Sequence, residues 1–162
     1  MSKLIATFFG AGLLRPAPGT WGSLAALPAA WLIMEWAGFF GLLFCAFIVF
    51  WVGYWATLEE TKGKDDHDPS EIVIDEVAGQ WIALLPVAYG AGMMNVETLR
   101  LWPGWIAAFL FFRLFDILKP GPVGWADRKH DAMGVMLDDV IAGVFAAIAV
   151  IVVGSFFHTV MG

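Results

Sequence analysis

Long apolar stretches alternate with short polar ones along this chain, and the polar positions are unevenly shared between them. The stretch 38–56 runs for nineteen residues without a charge, close to the roughly 20 residues a helix needs to cross bilayer hydrocarbon. The stretch before it, 21–36, is about a turn shorter and carries Glu35 at its far end. The region of Gly38 is therefore predicted to close a tight hairpin between the two. A third stretch, 72–94, is polar at its start and interrupted by Pro86. A fourth, 101–118, carries Arg113 and Asp116 in its last turns, and a fifth, 140–161, is rich in Ala and Val. Trp21, Trp36, Tyr54, Trp55, Trp102 and Trp105 cluster near the ends of these stretches, where amphipathic rings anchor at the interface. The pattern predicts one domain over 1–162, an all-α, polytopic membrane helical bundle of four to five spans.

Composition sharpens that reading. Sixty per cent of the residues are apolar and 15% charged, with nine Trp and fourteen Phe, which removes an ordinary soluble domain from consideration. The net charge of −6 argues against nucleic acid as a partner. Cys45 is the one cysteine, so no intrachain disulfide framework is expected. The N-terminal segment lacks a small-residue cleavage site, and a removable signal peptide is not expected. With the N-terminus in the cytoplasm, Lys3, Arg15, Lys62, Lys64, Lys119, Arg128 and Lys129 all face inward and Arg100 alone faces out, a strong positive-inside bias. The same assignment places thirteen of the fifteen acids around the inner face, leaving Glu35 and Glu97 outside.

Four motifs lie at that face. The segment from Arg15 to Ser23, rich in Pro and Gly, reads as a rigid turn into a helix capped by Thr20 or Ser23. A helix N-terminus there could receive phosphate. The segment Asp68-Pro-Ser-Glu71 has capping-box form, which explains Asp68 and Glu71 structurally. It leaves Asp75 and Glu76 about two turns inside the helix, ~10 Å from the cap. A solvated face does not account for two acids flanked by Ile72, Val73, Ile74 and Val77. Arg113, Asp116 and Lys119 recur every three residues and share one helical face, with Asp127 and Arg128 in the loop beyond; a snorkelling ion-pair trio is the plain alternative. Finally, Asp138 and Asp139 repeat the pattern of Asp75 and Glu76. Asp75 precedes Gly79 by four residues and Asp139 precedes Gly143 by four, so two helices can pack closely at small residues and pool their carboxylates.

An Asp at the centre of a membrane helix costs roughly 2.5–3.5 kcal/mol by insertion scales, and clustered carboxylates repel one another unless a cation or proton stabilises them. His67, His130 and His158 are scattered, so the donors are all oxygen. That set favours a hard cation, Mg²⁺ first and Mn²⁺ or Ca²⁺ next. Carboxylate-held Mg²⁺ beside Arg and Lys is equipment for phosphoryl chemistry. Other schemes fit poorly: Cys45 is followed by Trp51 where a cysteine phosphatase would place Arg, and the Asp-Gly-Ala-Arg pattern of CDP-alcohol phosphotransferases is absent. An ion transporter would place its acids near midspan.

The blocks PGTWGSLAA, DPSEIVIDEVAGQW, FRLFDILKPGPVGWADR and GVMLDDVIAG, in this order and spacing, resemble the phosphatidylglycerophosphatase A family over most of the chain. The resemblance implies a Mg²⁺-dependent enzyme of the bacterial inner membrane, with its site facing the cytoplasm. It would convert the lipid phosphatidylglycerophosphate to phosphatidylglycerol, and action on another lipid phosphate is the alternative. Matching positions make Asp68, Asp75, Glu76, Asp138 and Asp139 candidate metal ligands. Asp75, Glu76, Asp116, Asp127 and Asp139 are candidate catalytic acids, and Thr20, Arg113, Lys119 and Arg128 candidate substrate contacts. The pattern leaves open which carboxylate binds metal, which acts as base, and the oligomeric state. Direct attack by water is the expected mechanism; an aspartyl-phosphate on Asp116 or Asp127 is its competitor.

Overall fold

The structure, a computed structural model, describes residues 1–64, 66 and 68–161, without the side chains of 157, 158, 160 and 161. His67 and the His158 side chain thus lie outside the described residues. The elements are α1 (Ser2–Ala6), α2 (Pro18–Thr61), α3 (Ile74–Ala83), α4 (Leu85–Met94), α5 (Trp102–Leu118), α6 (Pro122–Asp127) and α7 (Ala132–Met161), with short 3-10 turns at Ala11–Leu13 and Thr98–Leu101. The described residues are helical or in turns and loops, as the apolar pattern predicts.

Four helical stretches are long and apolar enough to cross a membrane: Pro18–Thr61, Ile74–Met94, Thr98–Leu118 and Ala132–Phe156. The first contains two passes. Gly38 breaks it with φ 60 and ψ −153, a backbone conformation open chiefly to glycine. Gly22 and Gly53 both abut α3 at its start, the first against Val73 and the second against Ile74. In a straight helix those glycines would stand about 45 Å apart, so α2 folds back on itself and the predicted hairpin is present. Its passes are tied to α3, where the Trp81 indole N–H donates to the Ala26 carbonyl at 3.0 Å.

Packing is that of a membrane bundle. Ala26, Ala30, Ala46, Ala56, Ala78, Ala88, Ala108, Ala142 and Ala146 are buried, while Phe40, Phe44, Phe47, Trp51, Trp55, Ile148 and Val152 are exposed. Small side chains let helix backbones approach, and large apolar ones face outward where lipid replaces water.

Three helix starts differ from the sequence reading. Helix α2 begins at Pro18, without a side-chain cap, because proline's fixed φ and missing N–H suit the first helical position. Thr20 and Ser23 therefore lie inside the helix and cap nothing. Helix α3 begins at Ile74, not after Asp68. The Val73 N–H is taken by the carbonyl of Ala6 at 2.8 Å, and Glu71 pairs with Lys3 at 3.5 Å. The capping box is thus replaced by contacts to α1, and Asp75 and Glu76 occupy the first turn. Helix α7 begins at Ala132, well before Asp138. There the Asp131 carboxylate accepts from the Gly134 N–H at 2.6 Å, the geometry of an N-cap.

Candidate active site

The acids converge at one end of the bundle. Glu76 from α3, Asp116 from α5 and Asp139 from α7 each offer a carboxylate oxygen, and the three oxygens lie within 4.8 Å of one another. Asp68, Asp75 and Asp138 line the same cavity of about 180 Å³, with Gly19, Ser70, Arg113 and Lys119. The two acidic pairs share one local arrangement. Asp75 accepts the Glu76 amide at 2.9 Å, and Asp138 accepts the Asp139 amide at 3.0 Å. In both pairs it is the second acid that faces Asp116. Glu76 also gains from its place in the first turn of α3, where the helix dipole favours negative charge.

Two cations are threaded through these acids. Arg113 Nη1 pairs with Glu76 and with Asp116, the latter at 2.8 Å. Arg113 Nε is buried without a hydrogen-bond partner among the described residues. Lys119 follows α5 in a left-handed conformation with φ 45. It leaves the helix and bridges Asp127 and Asp138, the second at 3.0 Å. Burial opposes the Lys119 charge, but the hydrogen bond it donates to Asp127 and the negative charge of Asp138 outweigh it and hold its pKa above the usual lysine value. Asp68 stands exposed at the rim; partial desolvation of its carboxyl, with the repulsion of Asp127, Asp66 and Asp116 and against the attraction of Lys119, pushes it up from the ordinary range.

Of the remaining sequence candidates, Asp127 meets the site through Lys119. Thr20 is half-buried and Arg128 exposed; neither lines the cavity. Three polar or glycine residues of the site are not among the sequence candidates: Gly19 and Ser70 line the cavity, and the Ser23 hydroxyl lies 2.9 Å from Glu76 Oε2. For Gly19 and Ser23, their spacing of four on one helix is the available signal. A second cavity of about 400 Å³ opens at the opposite end of the bundle, where Glu35 accepts the Thr98 hydroxyl at 2.9 Å.

A helical membrane protein with pooled carboxylates and two cations at one end of its bundle is the class this architecture defines. Residues 4–154 match the phosphatidylglycerophosphatase A family, and the chain belongs to it, which makes it a phosphatase. It is 37% identical to phosphatidylglycerophosphatase A of Haemophilus influenzae, covering 91% of this chain and 85% of the relative. With the Escherichia coli protein of the same name the identity is 36%, over 89% and 78% of the two chains. A Bacteroides thetaiotaomicron protein, provisionally named phosphatidylinositol-3-phosphatase, is 39% identical over 92% of this chain and 91% of its own. No solved structure matches the chain.

Proposed function

We propose that this protein hydrolyses the terminal phosphate monoester of phosphatidylglycerophosphate, yielding phosphatidylglycerol and phosphate, with a divalent cation, Mg²⁺ first, as cofactor. The observation that carries the reading is the meeting of Glu76, Asp116 and Asp139 from three helices beside Arg113. The donor set fits a hard cation, since every candidate ligand atom is a carboxylate oxygen. Six carboxylates face two cations around the cavity, an excess of negative charge that a bound cation relieves. Glu76, Asp116 and Asp139 would hold it, with Asp68, Asp75 and Asp138 close by. When bound, such an ion screens the phosphate charge and makes water a better nucleophile at neutral pH.

The chain's own residues supply the rest. Arg113 keeps one buried donor unpaired, and its planar fork suits phosphate oxygens. Lys119 adds a second positive charge. One of Asp75, Glu76 or Asp139 accepts the proton of the attacking water. The cavity, about 180 Å³, is small beside pockets that enclose whole drug-sized ligands. It suits a phosphorylated headgroup whose acyl chains stay in the bilayer, beside the exposed Trp21, Leu114, Ile117 and Leu118. The lysine and arginine bias supports a cytoplasmic orientation for this end, and the bacterial relatives support an inner-membrane location.

A second reading, hydrolysis of a phosphorylated inositol lipid, is favoured by the name of the Bacteroides relative. Phosphate release by purified protein in lipid nanodiscs, with and without Mg²⁺, tests both. Phosphatidylglycerophosphate should be turned over fastest and only with the ion; a preference for phosphatidylinositol 3-phosphate would select the second reading, and no release from any lipid phosphate would end both.

A further inference from the structure

Gly19 and Ser23 lie four residues apart on α2 and so share one face. Ser23 is fully buried. Its hydroxyl oxygen stands 2.9 Å from Glu76 Oε2 and 2.9 Å from the Gly19 carbonyl. A hydroxyl has a single proton to give. Donation to the carbonyl four residues back is the ordinary resting place of a helical serine, whereas the bond to a carboxylate is charge-assisted and roughly twice as strong. Arg113 Nη1, which pairs with the same Glu76 oxygen, approaches the Ser23 oxygen at 3.5 Å. The other Glu76 oxygen is bounded by Gly19: a Cβ there would overlap Oε1 and stand 3.2 Å from Arg113 Nη1. One carboxylate is thus confined on both sides by two residues of a neighbouring helix.

We propose that Ser23 is a positioning residue, whose hydroxyl, with the bare backbone of Gly19, holds the Glu76 carboxylate toward Asp116 and Asp139. Ser23 does not line the cavity and acts through Glu76, not on the lipid. The inference rests on Glu76 belonging to the working site, but not on which lipid is hydrolysed.

The test uses full-length protein and two readouts, turnover kinetics and direct binding of Mn²⁺ alone by electron paramagnetic resonance. Ser23→Ala should lower kcat or Mn²⁺ affinity about 10–100-fold, the usual effect of losing a partner that orients a ligand. KM and the melting temperature should stay near wild type. Ser23→Thr, which keeps the hydroxyl, should recover most of the loss. Gly19→Ala should reproduce the defect from the other side of the carboxylate, and it decides the matter alone if Ser23→Ala fails to fold. Wild-type kinetics and Mn²⁺ binding in Ser23→Ala, or in Gly19→Ala, would overturn the assignment, as would equal impairment of the Ala and Thr variants. The wild-type protein's own turnover and binding judge the functional reading separately. With both present, an indifferent Ser23→Ala removes this inference alone.

Discussion

Gly79 on α3 and Gly143 on α7 meet backbone to backbone. A Cβ on Gly143 would overlap the Gly79 carbonyl, and one on Gly79 would overlap the Asp139 carbonyl and the Phe112 ring. Gly79 lies one turn past Glu76 and Gly143 one turn past Asp139, so the close approach of these helices brings the two acids to one place. Small-residue contact of this kind is how membrane helices pack without a hydrophobic drive between them.

Gly143→Ala should therefore lower stability by about 1–3 kcal/mol, the usual range for overpacking, and reduce turnover with it. Gly92, on α4, has open space where its Cβ would stand, and Gly92→Ala should be neutral or slightly stabilising. Thermal melts and phosphate release on both variants check the contrast. Equal behaviour of the two would remove the steric account.

Chelation should abolish activity and added Mg²⁺ or Mn²⁺ should restore it. Glu76→Gln, Asp116→Asn and Asp139→Asn should each weaken Mn²⁺ binding by more than about 100-fold, beyond the range seen for partners that only orient a ligand. Asp68→Asn should weaken it less, because its oxygen lies outside that group of three. Calorimetric titration with Mn²⁺ distinguishes them. Tight binding retained in all three would place the ion elsewhere.

Arg113 and Arg128 should separate cleanly. Arg113→Ala leaves Glu76 and Asp116 without their shared cation, and breaking a pair this largely enclosed costs up to about 3–5 kcal/mol, the figure for a fully buried one. Stability and kcat should fall together. Arg113→Lys keeps the charge but not the fork and should recover stability more than turnover. Arg128 is exposed, so Arg128→Ala should raise KM with kcat and melting temperature near wild type. A kcat defect in Arg128→Ala would bring that side chain into the chemistry.

Lys119 should stay charged through any ordinary assay. Its folded pKa is raised, so its contribution to stability is complete below the usual lysine value of about 10.4 and is lost only as pH climbs through the higher folded value. An alkaline fall in activity between about pH 7 and pH 9 then belongs to another group, since lysine ordinarily titrates above it. Lys119→Arg should leave that limb where it is; a limb that moves with the substitution would contradict the assignment.

Hydrolysis in heavy-oxygen water, with enzyme in excess for a single turnover, should place the label in the released phosphate and none in the protein. Label recovered in the side chain of Asp116 or Asp127 would establish an aspartyl-phosphate route instead.

The spans, the break at Gly38 and the gathering of acids at one end are legible in the sequence, because bilayer hydrocarbon screens each residue for charge and each segment for length. The paired acids followed by Gly79 and Gly143 are legible for a related reason: helical spacing alone puts a small residue one turn from a carboxylate. The tertiary structure decided what local pattern does not encode. Helix α3 starts at Ile74 because Ala6, far back in the chain, takes the Val73 N–H. Ser23 serves Glu76, 53 residues away, in place of a helix end. Lys119 shares a helical period with Arg113 yet turns out of α5 toward Asp127 and Asp138. Each of these choices is a contact between segments distant in sequence, and periodicity carries no record of which distant segment will arrive.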